Sequence, residues 1–248
     1  MCEIEGEGMT KIEWCDQTWN PVTGCSPISE GCQNCYAKKM ARRLAGRYGY
    51  PEYPNHFDVT IHPDRINNPP KWKGGKKIFV CSMGDLFHEN VPNHKTYGRI
   101  FDIAYMSGHG RQMVKRDPDY YLFLTKRVDR MAVKIEYYRH RYGGSMPDNA
   151  WIGVTAENQK RYDERWPILS KIPAAVKFVS IEPALEYVNI DIFAPWPDWV
   201  IAGPETGPGA RECKPEWIES LYEQCKEAGV PFFDKRKENY LAREFPNG

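Results

Sequence analysis

Short apolar runs alternate with longer helical stretches along most of this chain, and this alternation limits the possible folds more than any other feature. The runs are too short for helices and rich in β-branched or aromatic residues, which is typical of buried strands. They occupy residues 78–81, 120–124, 151–154, 176–181 and 199–202. Helical patterns lie before, between and after them, over residues 35–46, 94–106, 128–142, 159–169 and 215–228. Strand and helix therefore follow each other in regular order.

Strands that alternate with helices pair in parallel through crossover connections, which implies an α/β barrel or a doubly wound sheet. A first strand around residues 11–14 or slightly beyond gives about six strand–helix units, fewer than the eight of a closed barrel. We therefore predict a partial TIM-like (βα)6 barrel with parallel strands. It would form one domain over residues 9–248, after an N-terminal tail at residues 1–8.

Polar residues follow the predicted strands, at the edge of the sheet where parallel α/β folds carry their functional sites. The residues are Ser82, Gly84, Asp85, Lys126, Arg127, Thr155, Glu157, Asn158, Glu182, Gly203 and Glu205. One such cluster would be ordinary, because Ser, Thr, Asp and Asn commonly cap helices at these junctions. Five clusters in succession indicate the lining of a site.

Three of the eight cysteines, Cys25, Cys32 and Cys35, lie in one short loop between the first predicted strand and the first helix. Three thiols cannot pair off completely as disulfides, but three thiolates on one loop suit a metal. Cubane iron–sulfur clusters normally take four cysteine ligands, so three cysteines would leave one iron open. The loop therefore indicates an iron–sulfur cluster with a free coordination position.

Two other uses of these thiols remain open. A closed tetrahedral zinc site needs a further Cys or His at short spacing, and the nearest downstream histidine is His56. A disulfide framework is typical of small secreted chains, whereas the remaining cysteines here are scattered. Of those, Cys81 and Cys225 fall in apolar patterns that predict buried small side chains.

The composition predicts a soluble cytoplasmic protein without membrane contact. The 248 residues have a formal net charge of +1, and no apolar run approaches the ~20 residues that span a bilayer. The acidic residues 1–8 lack the basic and apolar regions of a signal peptide. A proline-rich run over residues 48–77 predicts an irregular excursion, either a lid or a solvated loop.

Several motifs in order resemble one known family. They are Thr-Gly-Cys25, Cys32-Gln-Asn-Cys35-Tyr-Ala, Phe79-Val-Cys-Ser-Met-Gly-Asp85, Phe123-Leu-Thr-Lys-Arg127, Val179-Ser-Ile-Glu-Pro183 and Gly203-Pro-Glu-Thr-Gly-Pro-Gly-Ala-Arg211. Over residues 9–235 the chain resembles the phage-associated three-cysteine-motif proteins, relatives of the radical S-adenosylmethionine (SAM) superfamily.

The resemblance implies a [4Fe-4S] cluster on Cys25, Cys32 and Cys35, with the amino and carboxylate groups of SAM on the open iron. One electron then cleaves the sulfonium bond to give methionine and a 5′-deoxyadenosyl radical, which takes a hydrogen atom from the substrate. An electron donor such as a flavodoxin or ferredoxin is implied as a partner. The barrel mouth would keep water away from the radical.

The resemblance also implies roles for the polar strand ends. The turn with Ser82, Gly84 and Asp85 matches the site of the SAM amino group, which makes Asp85 the candidate acceptor for the ammonium. The other assignments are Thr155, Glu157 and Asn158 near ribose or carboxylate groups, Gly203 and Glu205 near adenine, Lys126 and Arg127 near the SAM carboxylate or an anionic substrate, and Glu182 in the lining.

The chain departs from the commonest superfamily pattern at two points. Six residues instead of three separate Cys25 from Cys32, and Asn34 instead of an aromatic residue precedes Cys35. The longer loop is still compatible with a cubane. The departures bear on SAM chemistry more than on cluster binding.

Nucleic acid is one candidate substrate class. Cations and aromatic residues mix in two stretches, 71–77 and 137–142, as they do on nucleic-acid surfaces. The near-neutral net charge argues against a strong phosphate-binding footprint, and the likeness of the Cys-Tyr-Ala run to radical SAM DNA-repair lyases is analogy. The alternative from another class is a non-catalytic iron–sulfur or zinc protein that binds nucleic acid or a protein partner.

Overall fold

A curled sheet of seven parallel strands forms the centre of the molecule. The computed structural model describes residues 12–70, 74–109, 118–141, 146–190 and 195–246. The strands are β1 (Gln17–Trp19), β2 (Val22–Thr23), β3 (Thr60–Ile61), β4 (Lys77–Val80), β5 (Tyr120–Thr125), β6 (Ala150–Thr155), β7 (Lys177–Ile181), β8 (Trp199–Ala202) and β9 (Phe232–Asp234). The large sheet has the order β1-β4-β5-β6-β7-β8-β9, and β2 and β3 form a separate antiparallel pair.

Helices cover the outer face of this sheet. They are α1 (Tyr36–Leu44), α2 (Pro63–Asn67), α3 (Asn93–His109), α4 (Val128–Arg141), α5 (Gln159–Leu169) and α6 (Pro215–Ala228). Helices α3 to α6 each lie in a crossover between two neighbouring parallel strands, which is the connection that parallel pairing requires. The result is a half-barrel with every parallel strand ending at the same edge.

Alternation along the strands divides the core into two clusters. In β4, Ile78 and Val80 face the helices, where they join residues such as Phe101 of α3. The intervening Phe79 points to the concave side and packs with Trp14, whose ring centroid lies 4.6 Å away. Aromatic side chains therefore fill the inside of the half-barrel.

The predicted fold class is confirmed, with differences at both ends of the chain. The first strand is β1, beyond residues 11–14, because Trp14 lies in a turn and packs inside the half-barrel. Strand β9 was not predicted and makes seven parallel strands instead of six. The irregular run over 48–77 contains β3 and α2, while residues 71–73 and the tail at 1–8 lie outside the described residues.

Within the described ranges, no helix has the length and apolar composition needed to cross a membrane.

Candidate functional site

The three loop cysteines meet at the carboxyl edge of the sheet. Cys25, Cys32 and Cys35 line a cavity of about 140 Å³ above the ends of β4, β5 and β6. All three are free thiols and half-buried. The topology thus brings the cysteine loop to the edge at which the polar strand ends also lie.

The loop begins at a backbone position that only glycine can occupy. Gly24 forms a bridge with Gly84, and its N–H donates to the Met83 carbonyl at 2.9 Å. Its φ is +83°, and a Cβ there would lie 2.1 Å from the carbonyl oxygen of Asp58. The next residue, Cys25, donates its N–H to the Phe57 carbonyl at 3.1 Å. Backbone contacts on two sides therefore fix the first cysteine.

A short 3-10 turn, Glu30–Cys32, ends at the second cysteine, and the third follows three residues later. The Cys32 N–H donates to the Ser29 carbonyl at 3.0 Å, and the Cys35 N–H to the Cys32 carbonyl at 3.4 Å. From the end of β6, the carboxylate of Glu157 accepts the Gly31 N–H at 3.0 Å. Cys35 is also the residue from which α1 starts.

Arg127, just after β5, ties the first cysteine to the sheet. Its Nη1 donates to Cys25 Sγ at 3.2 Å and to Asp85 Oδ2 at 3.2 Å, while Nη2 donates to the Ser26 carbonyl at 2.9 Å. Thr125 Oγ1 lies 2.9 and 2.8 Å from the two oxygens of Asp85. The Asp85 carboxylate is therefore already used to hold Arg127 and Thr125.

Glu157 supports the loop from behind. Its side chain is 0% exposed and pairs with Arg165, whose Nη1 donates to Oε2 at 2.8 Å. Burial works against ionisation of this carboxyl, but the charges of Lys126 and Arg165 lower its pKa below the ordinary value. The carboxylate thus stays charged and accepts from the Gly31 N–H.

A second ion pair anchors the residue before the third cysteine. Asn34 Nδ2 donates to Glu205 Oε2 at 2.8 Å and to the Gly209 carbonyl at 2.9 Å. Arg211 holds the same carboxylate, and its hydrogen bond with Glu205 lowers the pKa of that carboxyl to about 2. Asn34, which departs from the superfamily pattern, here joins the cysteine loop to the segment that follows β8.

The cysteines differ in their electrostatic surroundings. Burial, followed by the Asp85 charge, raises the pKa of Cys25 to about 11. Burial also opposes ionisation of Cys32, but hydrogen bonding at Ile28 and the Lys126 charge lower its pKa. Within the part of the chain that the structure describes, Lys126 itself makes no hydrogen bond or ion pair. It is a free cation next to the thiols.

A second cavity of about 200 Å³ adjoins the first and shares Cys35, Tyr36, Lys126 and Thr155 with it. Its lining combines an apolar floor with a charged rim. The floor includes Trp14 and Phe79, and the rim includes Glu182, Glu205 and Lys235. The two cavities form one cleft, with the cysteines at one end; we call it the cysteine cleft.

Two charged residues close the far end of the cysteine cleft. The ammonium of Lys235 forms an ion pair with Glu182, which also accepts from Ser180 Oγ at 3.1 Å. Gly203 allows this approach, since a Cβ there would lie 2.8 Å from Cβ of Lys235. In the floor, Trp14 Nε1 is buried without a hydrogen-bond partner among the described residues.

Most of the predicted site residues come together here. Those that line the cysteine cleft are Cys25, Cys32, Cys35, Ser82, Gly84, Asp85, Lys126, Arg127, Thr155, Glu182 and Glu205. Glu157 and Gly203 lie directly behind the lining, against Gly31 and Lys235. Asn158 is not brought to the cleft lining, because its Oδ1 accepts from the Arg161 N–H at 2.9 Å and caps α5.

Several residues of the site were not assigned from the sequence. Lys235 follows β9, a strand that the sequence does not predict, and Trp14 lies in a turn where the sequence predicts the first strand. Tyr36 donates its hydroxyl to the Ser82 carbonyl and so links α1 to the end of β4. His88 lies 2.8 Å from Ser26 Oγ through its Nε2. Among these residues, only Tyr36 has a local sequence signal, because it directly follows the third loop cysteine.

A family described as "Protein of unknown function (DUF5131)" matches residues 9–246. The chain belongs to this family. No curated protein and no solved structure gave a match. Because the description of the family states no activity, the cysteine cleft must supply the evidence for function.

Proposed function

We propose that this protein is a radical SAM-type enzyme, with a [4Fe-4S] cluster on Cys25, Cys32 and Cys35. The observation that carries the proposal is the arrangement of the thiols. The three loop cysteines are free thiols and line one cavity.

The number of donors suits a cluster better than zinc, because a structural zinc is closed by four ligands, whereas three thiolates leave one iron of a cubane open. The ligands of a mononuclear zinc converge on one point, with sulfurs about 2.3 Å from the metal. In a cubane each cysteine binds a different iron, so the sulfurs stand apart around a larger object. The donor set is also entirely thiolate, which is the usual ligation of such clusters.

The surrounding residues prepare the first cysteine to act as a ligand. A bound thiolate has lost its proton, so binding must overcome the raised pKa of Cys25. Arg127 contributes a charged donor 3.2 Å from Sγ and thereby stabilises the thiolate form. The buried Asp85 and the Glu89 carboxylate hold the guanidinium in place, with Nε 3.1 Å from Glu89 Oε2.

When bound, the cluster would supply the electron that cleaves SAM into methionine and a 5′-deoxyadenosyl radical. The chain itself would bind and shield SAM. Lys126 is a free cation at the meeting point of the two cavities and fits a carboxylate. The apolar floor around Trp14 and Phe79 would exclude water from the reacting groups.

The contacts of Asp85 change its proposed role. Both of its oxygens accept from Thr125, and one also accepts from Arg127. We therefore assign Asp85 to positioning Arg127 and leave the binding of the SAM ammonium to other acceptors. Glu205 likewise holds Asn34 and Arg211 and serves to position the cysteine loop.

The remaining expectations belong to the same proposal. A low-potential donor such as a flavodoxin or ferredoxin would supply the electron, and the resemblance to phage-associated proteins suggests where related chains occur. Cytoplasmic conditions would keep the cluster thiols reduced.

The proposal is tested by anaerobic reconstitution with iron and sulfide, followed by SAM and a strong reductant. We expect 5′-deoxyadenosine from the wild type and none from the Cys25→Ala, Cys32→Ala, Cys35→Ala triple variant. Cys213→Ala is the matched control, since Cys213 is a half-buried free thiol outside the cysteine cleft. A fully loaded protein that forms no 5′-deoxyadenosine would contradict the proposal and support the non-catalytic alternative.

A further inference from the structure

Helix α1 and the segment after it carry a dense set of cations without matching acids. Residues 36–57 contain the exposed cations Lys38, Lys39, Arg42, Arg43 and Arg47, with Glu52 as the only acid. In the whole chain, by contrast, 34 Lys and Arg residues balance 33 Asp and Glu residues. The positive charge is therefore local, and we call these five cations the α1 cation patch.

The α1 cation patch begins at the rim of the cysteine cleft. Tyr36, the first residue of α1, follows the ligand Cys35 and lines both cavities. One turn on, Lys39 Nζ donates to the Pro208 carbonyl at 3.4 Å, in the loop that borders the second cavity. A polyanion held along α1 would therefore pass directly beside the cleft.

Exposed aromatic rings accompany the cations. Tyr53 is 66% exposed and stacks on the buried His56, with ring centroids 5.5 Å apart and planes 7° from parallel. The Arg42 guanidinium carbon lies 5.8 Å from the Tyr53 ring centroid. Tyr48 is 74% exposed. Flat aromatic faces among cations are the usual means of binding single-stranded nucleic acid, through base stacking and phosphate contacts.

We propose that α1 and residues 46–57 bind single-stranded nucleic acid and lead a nucleotide into the cysteine cleft. The second half of this statement rests on the proposed function, since it names the substrate class of the same site. The bound strand must be unpaired, because an enzyme that reacts with a base needs that base outside the base stack. An acidic protein partner would use the cations but would have no need for the exposed tyrosines.

This surface differs from the two stretches suggested by the sequence. Lys77 begins β4 and so lies at the opposite edge of the sheet from the cysteines. Arg139, near the end of α4, pairs with Glu136 at 2.8 Å. Residues 71–73 lie outside the described residues. The described parts of those stretches are therefore not next to the cysteine cleft.

The test is fluorescence anisotropy with one labelled sequence as single-stranded DNA, single-stranded RNA and duplex DNA, at several salt concentrations. Arg42→Gln with Arg43→Gln should weaken binding at least tenfold at low salt. The magnitude of the slope of log K against log salt should fall by about 1.4, because each of the two lost phosphate contacts removes about 0.7 for a single strand. Lys171→Gln with Lys226→Gln, two exposed cations elsewhere, should change affinity less than twofold.

A tyrosine variant separates nucleic acid from an acidic protein. Tyr53→Leu should weaken binding about fivefold or more with an unchanged salt slope, since stacking is lost and charge is kept. Duplex DNA should bind more weakly than either single strand, and the tighter of DNA and RNA identifies the natural strand. Three results would overturn the proposal. They are an equal loss of oligonucleotide affinity in the Lys171→Gln, Lys226→Gln variant, an unchanged affinity in Tyr53→Leu, and complete displacement of the oligonucleotide by polyglutamate.

The experiments distinguish a failure of oligonucleotide binding from a failure of SAM cleavage. The triple cysteine variant should still bind the oligonucleotide, because the α1 cation patch contains no cysteine. Loss of SAM cleavage with intact binding would therefore count against the enzyme proposal alone. Intact cleavage by a wild type that binds no oligonucleotide would count against the nucleic-acid surface alone.

Discussion

Arg127 donates a hydrogen bond from Nη1 to Cys25 Sγ over 3.2 Å, so a cation at the end of β5 touches one of the three loop cysteines. Burial disfavours the charge of this guanidinium, but Cys25 and Asp85 raise the pKa of Arg127 above its ordinary value. The side chain is thus a fixed positive charge beside the sulfur of Cys25. Hydrogen bonds to cluster sulfurs are one of the determinants of reduction potential.

Arg127→Lys should therefore lower the reduction potential of the reconstituted cluster. Lysine keeps the charge for Asp85 but loses the planar fork that reaches Cys25, Asp85 and Ser26 together. We expect a fall on the order of 50 mV, given about 1.5 kcal/mol for a charged hydrogen bond and one electron. A spectroscopic redox titration measures it. Arg130→Lys is the control, and an unchanged potential in the Arg127 variant would disprove the tuning role.

Gly24→Ala should displace the first cysteine. Gly24 and Gly207 both have positive φ values, +83° and +92°, so alanine at either position carries backbone strain. Only at Gly24 would the new Cβ also meet backbone, 2.1 Å from the Asp58 carbonyl oxygen. We expect Gly207→Ala to cost about 1 kcal/mol and Gly24→Ala at least about 2 kcal/mol more. Urea unfolding and iron content measure both effects, and equal losses in the two variants would refute the steric explanation.

Glu205→Gln should destabilise the protein in a pH-dependent way. The folded-state pKa of Glu205 is about 2, below its ordinary value of 4.5, mainly because of the hydrogen bond with Arg211. Its contribution is therefore fully present above pH 4.5 and is lost as the pH falls towards 2. We expect a deficit of about 1–2 kcal/mol at pH 7 that shrinks near pH 3.

Urea unfolding of wild type and variant at both pH values measures this difference. Glu212→Gln is a suitable control because Glu212 is exposed and close in sequence. A deficit of the same size at pH 7 and near pH 3 would show that the Glu205 charge is not responsible.

Lys126→Met should weaken SAM binding without unfolding the protein. The ammonium makes no hydrogen bond or ion pair among the described residues and lines both cavities. It acts on Glu157 through its charge alone, and Arg165 still pairs with that carboxylate in the variant. Loss of one charged contact to a carboxylate predicts at least about a tenfold weaker affinity. Equilibrium dialysis of the reconstituted protein measures it, with Lys160→Met, an exposed lysine of α5, as the control. An unchanged affinity for SAM would show that Lys126 does not bind SAM.

The sequence predicted those features that depend on local patterns. Apolar runs of four to six residues identified five of the seven parallel strands, because a buried parallel strand has a continuous apolar signal. Strand β9 was missed since Phe232–Asp234 is too short to show a period. The capping role of Asn158 could have been predicted from the sequence, because an Asn directly before a helical pattern is a typical N-cap.

The supporting contacts of the cysteine loop could not be predicted in the same way. Arg127 and Cys25 are 102 residues apart in the chain, and Gly31 and Glu157 are 126 apart. No periodicity connects such positions, since their contact depends on how the whole half-barrel closes. The polar strand ends were correctly expected to gather at one edge, but which of them are free and which are paired emerges only from the structure.

Mössbauer spectroscopy of protein reconstituted anaerobically with iron-57 tests the three-cysteine cluster most directly. We predict one cubane per chain whose spectrum shows three irons of one kind and one distinct iron, and a change at the distinct iron alone when SAM is added. The Lys126→Met variant should need more SAM for the same change. A chain that takes up zinc instead of a cluster, or a cubane whose spectrum is unaffected by SAM, would contradict the proposed enzyme.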